Sequence, residues 1–292
     1  MIRSVPRRRV PGTSGSEKQK GLGRHRRPLG VRVSGVRFSA YGRTDIGLCR
    51  TNNEDGFVIR DLTRGITYEP AVVVEQPVGA RGILFAVCDG IGGHNAGEVA
   101  SSLALETLET EMQQLSNECP RPGLFEKAVE VVNRRVWNEA SLHAKLSGMG
   151  TTLTAALICQ ERVLIAHVGD SRAYFARDGR VEQITKDQSI AGQLVAAGAM
   201  TEEEVRKTPF RHVLLQAIGR KEKVEIALDG IDLVRGDTLL LCSDGLSGKV
   251  GIRELDGHLA GDDLKACGDA LVALANERGG EDNITVIIAR VS

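Results

Sequence analysis

Aromatic residues are scarce: Phe, Trp and Tyr make up 3% of the 292 residues, too few to build the stacking platforms that grip single-stranded nucleic acid. Net charge is absent as well. The 38 basic and 38 acidic side chains cancel, which argues against whole-chain electrostatic attachment to nucleic acid or to an anionic membrane. No apolar run approaches the ~18 residues of a membrane-spanning helix, and the N-terminal segment lacks the apolar stretch of a secretory signal. The expected location is the cytoplasm. The six cysteines (Cys49, Cys88, Cys119, Cys159, Cys242, Cys267) form no C-x-x-C pair, which excludes a zinc knuckle and a redox dithiol. They are expected to be reduced, small core residues.

What is present is unevenly distributed. Residues 1–37 hold 11 Lys/Arg and a single acid, Glu17, so the remaining chain carries 27 basic and 37 acidic side chains. That first stretch mixes Arg with Gly, Pro and Ser and has no apolar period, and is read as a disordered basic leader. An Arg cluster of this kind suits an acidic partner or RNA, a solvated tail, or an upstream start codon wrongly assigned. Residues 38–292 read as one domain, and the full chain's 41% hydrophobic content is enough for a core. Apolar runs predict buried strands at Ile83 to Cys88, Thr152 to Ile158, Val163 to Val168, Thr238 to Cys242 and Ile284 to Val291. Helical spacing of Ala100, Leu103, Ala104, Leu108, Met112 and Leu115, and again of Phe125, Ala128, Val132 and Val136, predicts two consecutive helices. An Asp178-Gly179 pair marks a hairpin turn. Residues 61–82 read as a loop or irregular hairpin, and residues 188–212 as a polar helical flap inserted between strands.

The carboxylates fall at strand ends. Asp89-Gly90 follows ILFAVC, Asp244-Gly245 follows TLLLC-Ser243, and Glu281-Asp282-Asn283 immediately precedes ITVIIARV. One Asp-Gly is an ordinary turn; three carboxylates placed alike on a rigid scaffold make a candidate all-oxygen cage for Mg²⁺ or Mn²⁺, with Gly letting a carbonyl approach the ion. A fourth acidic element, Glu54-Asp55, has Arg50 four residues before it, either a surface ion pair or a bidentate grip on phosphate. Rival chemistries lack their signatures: there is no G-x-x-x-x-G-K-[ST], no H-E-x-x-H, and no Cys with an Arg six positions downstream. The run from Gly90 to Gly97 lacks the spacing of a dinucleotide loop. Phosphate-ester hydrolysis by a metal-activated water remains.

These residues resemble the metal-dependent PP2C-type (PPM) protein serine/threonine phosphatases in their bacterial form. The resemblance rests on Thr44-Asp45-x-Gly47-x-x-Arg50-x-x-Asn53-Glu54-Asp55, Asp89-Gly90-x-Gly92-Gly93-His94-x-x-Gly97-Glu98, Gly148-Met149-Gly150-Thr151-Thr152, Gly169-Asp170-Ser171-Arg172, Ser243-Asp244-Gly245-Leu246 and Glu281-Asp282-Asn283-x-Thr285, in the family's order. It implies an α+β fold, a four-layer αββα sandwich of two antiparallel sheets flanked by helices, with two Mn²⁺ or Mg²⁺ ions in a cleft at one end. Carried over by position, Asp89 bridges both ions. The Gly90 carbonyl and Glu54 complete one ion, Asp244 and Asp282 hold the other, Asp55 supports from behind and Arg50 clamps the phosphate. A hydroxide bridging the ions attacks phosphorus in line. Asp89, Asp244 and Asp282 are thus the expected catalytic residues.

The sequence departs from the family's pattern in two places. Ile91 stands where animal-type members have a His proposed as general acid, which leaves His94 or metal-bound water as the proton donor. Lys145 stands where bacterial members often have an acid that helps hold a third ion; Asp170 is a candidate for that ion and equally a turn residue. The implied partners are phosphorylated proteins, Ser/Thr kinases of the same cell and their substrates, with no nucleic acid or membrane, and a monomer is expected. A catalytically silent binding domain, or a phosphatase of an anti-sigma-type antagonist or a small phosphoester, are the alternatives.

Overall fold

Ile284–Val291 illustrates why the apolar runs of this chain show no polar alternation. Ile284, Val286 and Ile288 face one buried layer while Ile287, Ala289 and Val291 face another, as happens when a sheet is covered on both sides. The computed structural model describes residues 35–92, 96–115 and 118–292. Within them the chain lays down β1 (Arg37–Asp45), β2 (Asp55–Asp61), the short β3 (Ile66–Thr67) and β4 (Val74–Pro77), then β5 (Ile83–Ile91). Two long helices follow, α1 (Ala96–Gln114) and α2 (Pro122–Leu142). Next come β6 (Gly150–Thr151), β7 (Leu153–Cys159), β8 (Arg162–Val168), β9 (Arg172–Arg177) and β10 (Arg180–Gln183). The insertion predicted as a flap carries α3 (Ile190–Ala196) and α4 (Glu202–Arg206). The rest is β11 (Ala227–Asp232), β12 (Thr238–Cys242), α5 (Asp244–Ser247), α6 (Ile252–Leu259), α7 (Leu264–Glu277) and β13 (Ile284–Val291).

One sheet runs β10-β9-β12-β13-β1-β4 and the other β11-β8-β7-β5-β2-β3, with β6 beside the end of β5. Neighbours are antiparallel throughout, and the sheets pack face to face through Phe38, Phe85, Val87, Ile165, Leu241 and Ile287. α1 and α2 cover the outer face of the second sheet, and α5 to α7 that of the first. This is the expected αββα sandwich. Its registers bring the acidic strand ends together: Asp45 pairs with Ile284, Cys242 with Val286, and Asp55 with Asp89.

Several sequence expectations need correction. β5 continues through Ile91, so Asp89 and Gly90 lie within the strand and not after it. Residues 61–82 hold β3 and β4, and β4 crosses to the other sheet to pair with β1. The packed domain begins before residue 38: Val36 is buried, and Arg37 exchanges backbone hydrogen bonds with Ser292. The leader through residue 34 and His94 lie outside the described residues. The expectation of reduced cysteines fails for one pair, Cys119 and Cys159, which form a disulfide. Cys119 lies between α1 and α2 and Cys159 ends β7; their proximity is set by the helix pair folding over the sheet, which no local spacing announces. Cys88, Cys242 and Cys267 are free and buried, as expected, and Cys49 is free and exposed. The Asp178-Gly179 hairpin does form, with both residues at positive φ, 52° and 73°, the signature of a type I′ turn.

Candidate active site and metal centre

At the end of the sandwich where β1, β5 and β12 finish and β2 and β13 begin, a cavity of about 750 Å³ opens. Arg50, Glu54, Asp89, Gly90, Asp170, Asp244 and Asp282 all line it. Seven of the eight residues singled out from sequence therefore meet in one place, the outermost two, Arg50 and Asp282, lying 232 residues apart in the chain. The eighth, Asp55, sits directly behind, as the cross-strand partner of Asp89.

Asp89 is fixed through its backbone. Its N–H donates to Thr152 Oγ1 at 2.9 Å, and its carbonyl accepts from Thr151 Oγ1 and from the Thr152 N–H, each at 2.9 Å. Thr152 Oγ1 in turn meets Ser171 Oγ at 2.7 Å, linking β5 to the turn that carries Asp170. The side chain of Asp89 is left to face the cavity, where burial and the carboxylates of Asp55, Asp244, Asp170 and Asp282 hold its pKa well above the usual carboxylate range. Asp170 is pushed up in the same way by burial and by Asp244, and Glu54 chiefly by burial. Glycine is required beside Asp89. A Cβ at Gly90 would collide with the carbonyls of Gly97 and Glu54, and one at Gly97 would come within 2.6 Å of Glu54 Oε2. The N-terminus of α1 can therefore close against Glu54.

Asp55 ends a run of directional hydrogen bonds. Asn53 Nδ2 donates to Thr44 Oγ1 (2.9 Å), Thr44 to Thr285 Oγ1 (2.8 Å), and Thr285 to Asp55 Oδ2 (2.7 Å). Ser243 Oγ adds a second donor at 2.7 Å. Burial still pushes the Asp55 carboxyl up to about 7, the two hydroxyls opposing it. Asn283 ties the loops together. It donates from Nδ2 to the carbonyls of Ile46 and Asn52 at 2.9 and 3.0 Å, and accepts at Oδ1 from the Glu54 N–H at 2.8 Å. Ser243, Asn283 and Thr285 stand within the sequence motifs, but these roles are not legible there, because each is a contact across 188 to 237 residues of chain.

Two nitrogen-bearing side chains engage the carboxylates. Arg50 Nη2 donates to Asp282 Oδ2 at 2.8 Å, so its first partner is Asp282 and not Glu54. His212, from the flap, places Nδ1 3.4 Å from Asp244 Oδ2, a contact that raises its pKa; nothing in the sequence pointed to His212. Lys145 is exposed in a short turn after α2 and lines neither this cavity nor its neighbour. Among the described residues no three acidic, His or Cys side chains already converge on one point. The donor set is nonetheless that of a hard cation: five carboxylates and a backbone carbonyl around one cavity, with like-charge repulsion that a divalent ion would relieve.

A family model described as protein phosphatase 2C matches residues 71–284. The chain belongs to the protein phosphatase 2C family. It is therefore a hydrolase acting on phosphoproteins. Among its relatives, the serine/threonine phosphatase stp of Listeria innocua is 35% identical over 251 residues, covering 84% of this chain and 93% of that protein. The Mycobacterium tuberculosis phosphatase PstP is 38% identical over 259 residues, covering 88% of this chain and 45% of PstP. Of solved structures, Stp1 from Staphylococcus aureus aligns with a TM-score of 0.75 at 32% identity, over 92% of this phosphatase and 99% of that chain. The catalytic domain of PstP in complex with two manganese ions aligns at 0.73 and 35%, over 88% and 99%.

Proposed function

We propose that the cleft hydrolyses phosphoserine and phosphothreonine esters on proteins, and that the observation carrying this reading is the meeting of five oxygen donors and Arg50 around one cavity. Asp89, on strand β5, would hold divalent ions together with Glu54, the Gly90 carbonyl, Asp244 and Asp282, all of which line the cavity. When bound, the ions supply Lewis-acid charge neutralisation and water of lowered pKa. The chain's own residues do the rest. Thr151, Thr152 and Ser171 hold the Asp89 backbone so that its carboxylate faces the cavity. Asp55 orients Ser243 and Thr285 next to Asp244 and Asp282. Arg50 keeps guanidinium N–H groups available for the phosphate oxygens beyond the one given to Asp282. Asp170 lines the same cavity and is the residue on which a third ion would lean, with Lys145 too exposed to oppose it.

Manganese is the favoured ion, by likeness to the manganese-bound PstP domain. The physiological substrates are taken to be Ser/Thr kinases and their targets, and the enzyme to act as a monomer. No helix among the described residues is long and apolar enough to cross a membrane, and the setting is taken to be cytoplasmic. The Cys119–Cys159 bridge pulls the other way, because reducing cytosol disfavours disulfides; its redox state in cells is the measurement that weighs the two.

The deciding experiment is Asp89→Asn. The variant should lose phosphate release from a phosphothreonine peptide by about two orders of magnitude or more while keeping the wild-type circular dichroism spectrum. Its Mn²⁺ affinity, measured by calorimetry, should fall in parallel. Near-normal turnover in Mn²⁺ would overturn the assignment of Asp89 to the metals.

A further inference from the structure

The catalytic cavity does not end at the metal ligands. A second basin of about 980 Å³ adjoins it under the flap, and Arg50, Asp170, His212, Asp244 and Asp282 line both. Its floor includes apolar side chains of the flap helices, Ala191, Val195 and Val205. Its rim is charged, and most of those charges cancel. Arg172 pairs with Asp187 at 2.7 Å, Arg206 with Glu202 at 3.7 Å, and Lys249 with Glu281. Two cations stand out from this balance. Lys186 and Arg211 are both exposed, and neither has a carboxylate at ion-pair distance among the described residues; Arg211 donates from Nε to His212 Nε2 at 2.8 Å.

We infer that this basin receives the polypeptide segment flanking the phosphorylated residue, and that Lys186 and Arg211 select segments bearing acidic side chains. The inference rests on the reading of the adjoining cleft as a phosphoprotein phosphatase site. Because the two cavities share Arg50 and the carboxylates beside it, a substrate whose phosphate reaches Arg50 has a continuous path for its neighbouring residues along one wall of the second. An extended strand there meets an apolar floor for every other side chain and, at the rim, two exposed cations that no carboxylate holds in an ion pair, Arg211 feeling Glu281 only from a distance. Arg172 and Lys249 add nothing to the selection, since their charge is already spent on Asp187 and Glu281.

The test uses the full chain loaded with Mn²⁺ and phosphothreonine peptides that differ only in carrying Glu or Lys on one flank. Each flank is tried in turn at low salt. The wild type should show a kcat/KM ratio, Glu over Lys, of about ten on one flank, and the preference should shrink at high salt as exposed charges are screened. Lys186→Glu combined with Arg211→Glu should bring that ratio down about tenfold. Because the ratio is taken within each enzyme, a general loss of activity does not mimic the effect. Should circular dichroism show the double reversal unfolded, Lys186→Gln with Arg211→Gln should lower the same ratio by a smaller factor. A ratio of one in the wild type, or a ratio that the variants leave unchanged, overturns the proposal. Hydrolysis of a small aryl phosphate by the wild type separates the two levels: if it persists while the ratio is one, only the basin's role fails, and if it is absent, the reading of the cleft itself fails.

Discussion

Arg50 has a carboxylate partner here, and that partner shapes what its loss should do. One terminal nitrogen is held by Asp282 at 2.8 Å and the side chain is half exposed, leaving the rest of the planar fork to meet an incoming phosphate. A hydrogen bond to a charged group is worth about 1.5–3 kcal/mol. Arg50→Ala should therefore raise KM for a phosphopeptide and lower kcat/KM by about tenfold to a hundredfold, with Arg50→Lys a poor rescue because an ammonium lacks the fork. Unchanged kcat/KM at saturating Mn²⁺ would leave Arg50 as an ion-pair partner of Asp282 and nothing more. His167 is a different case, a buried residue outside the cleft. Its ring meets Thr154 Oγ1 at 2.9 Å and the Lys186 carbonyl at 3.3 Å, and burial pushes its pKa down to about 4. The unfolded chain takes up that proton near pH 6.5. The neutral ring thus contributes stability in full above about pH 6.5, and the contribution is lost as pH falls toward 4. Between pH 7 and pH 5 the wild type should lose about 2 kcal/mol more than His167→Asn in urea unfolding, and equal losses would show that the ring is not held neutral.

The helix α1 links the site to the opposite end of the molecule. Its first turn closes on Glu54 through Gly97. At its other end the Arg81 guanidinium caps the carbonyls of Met112 and Leu115, each at 3.2 Å, and the chain then passes to Cys119 and its bridge to Cys159. The bridge joins residues 40 apart, for which loop-closure entropy gives about 4 kcal/mol in the unfolded state. Cys119→Ser should lower the urea midpoint, reductant should lower the wild type's to the same value, and the variant should not respond to reductant. A wild-type midpoint indifferent to reductant would mean that the two sulfurs are not bonded. This is also the scale at which sequence reading was uneven. β5, β7, β8, β12 and β13 were legible because both faces are buried and the apolar residues run on without a break. β1 (RFSAYGRTD) and β11 (ALDGID) escaped because exposed and polar positions interrupt them. The carboxylates were legible because each sits at the border of such a run. His212 was not, since only the folding back of the flap brings it to Asp244.

For the whole molecule, the charge asymmetry and the packing point to the same division of labour. Every described element starts at Arg37 or later, and β1 is already paired on both sides, with β13 and with β4. Among the described residues, the core between the sheets includes Val36 and Phe38 at the start of β1. Removing residues 1–34 takes away ten Lys/Arg and one Glu, leaving 28 basic and 37 acidic side chains in a body whose cleft is itself lined by carboxylates. An acidic body attracts divalent cations, and a positively charged segment attached to it opposes that attraction at low salt. The truncated chain should unfold at the same temperature as the full chain and hydrolyse a phosphothreonine peptide with the same kcat/KM at saturating Mn²⁺. At low salt it should reach half-maximal activity at a Mn²⁺ concentration no higher than the full chain requires. A fall of several degrees in Tm would show that the segment packs against the sandwich, and a higher Mn²⁺ requirement would show that it supports the metal site instead of merely adding charge.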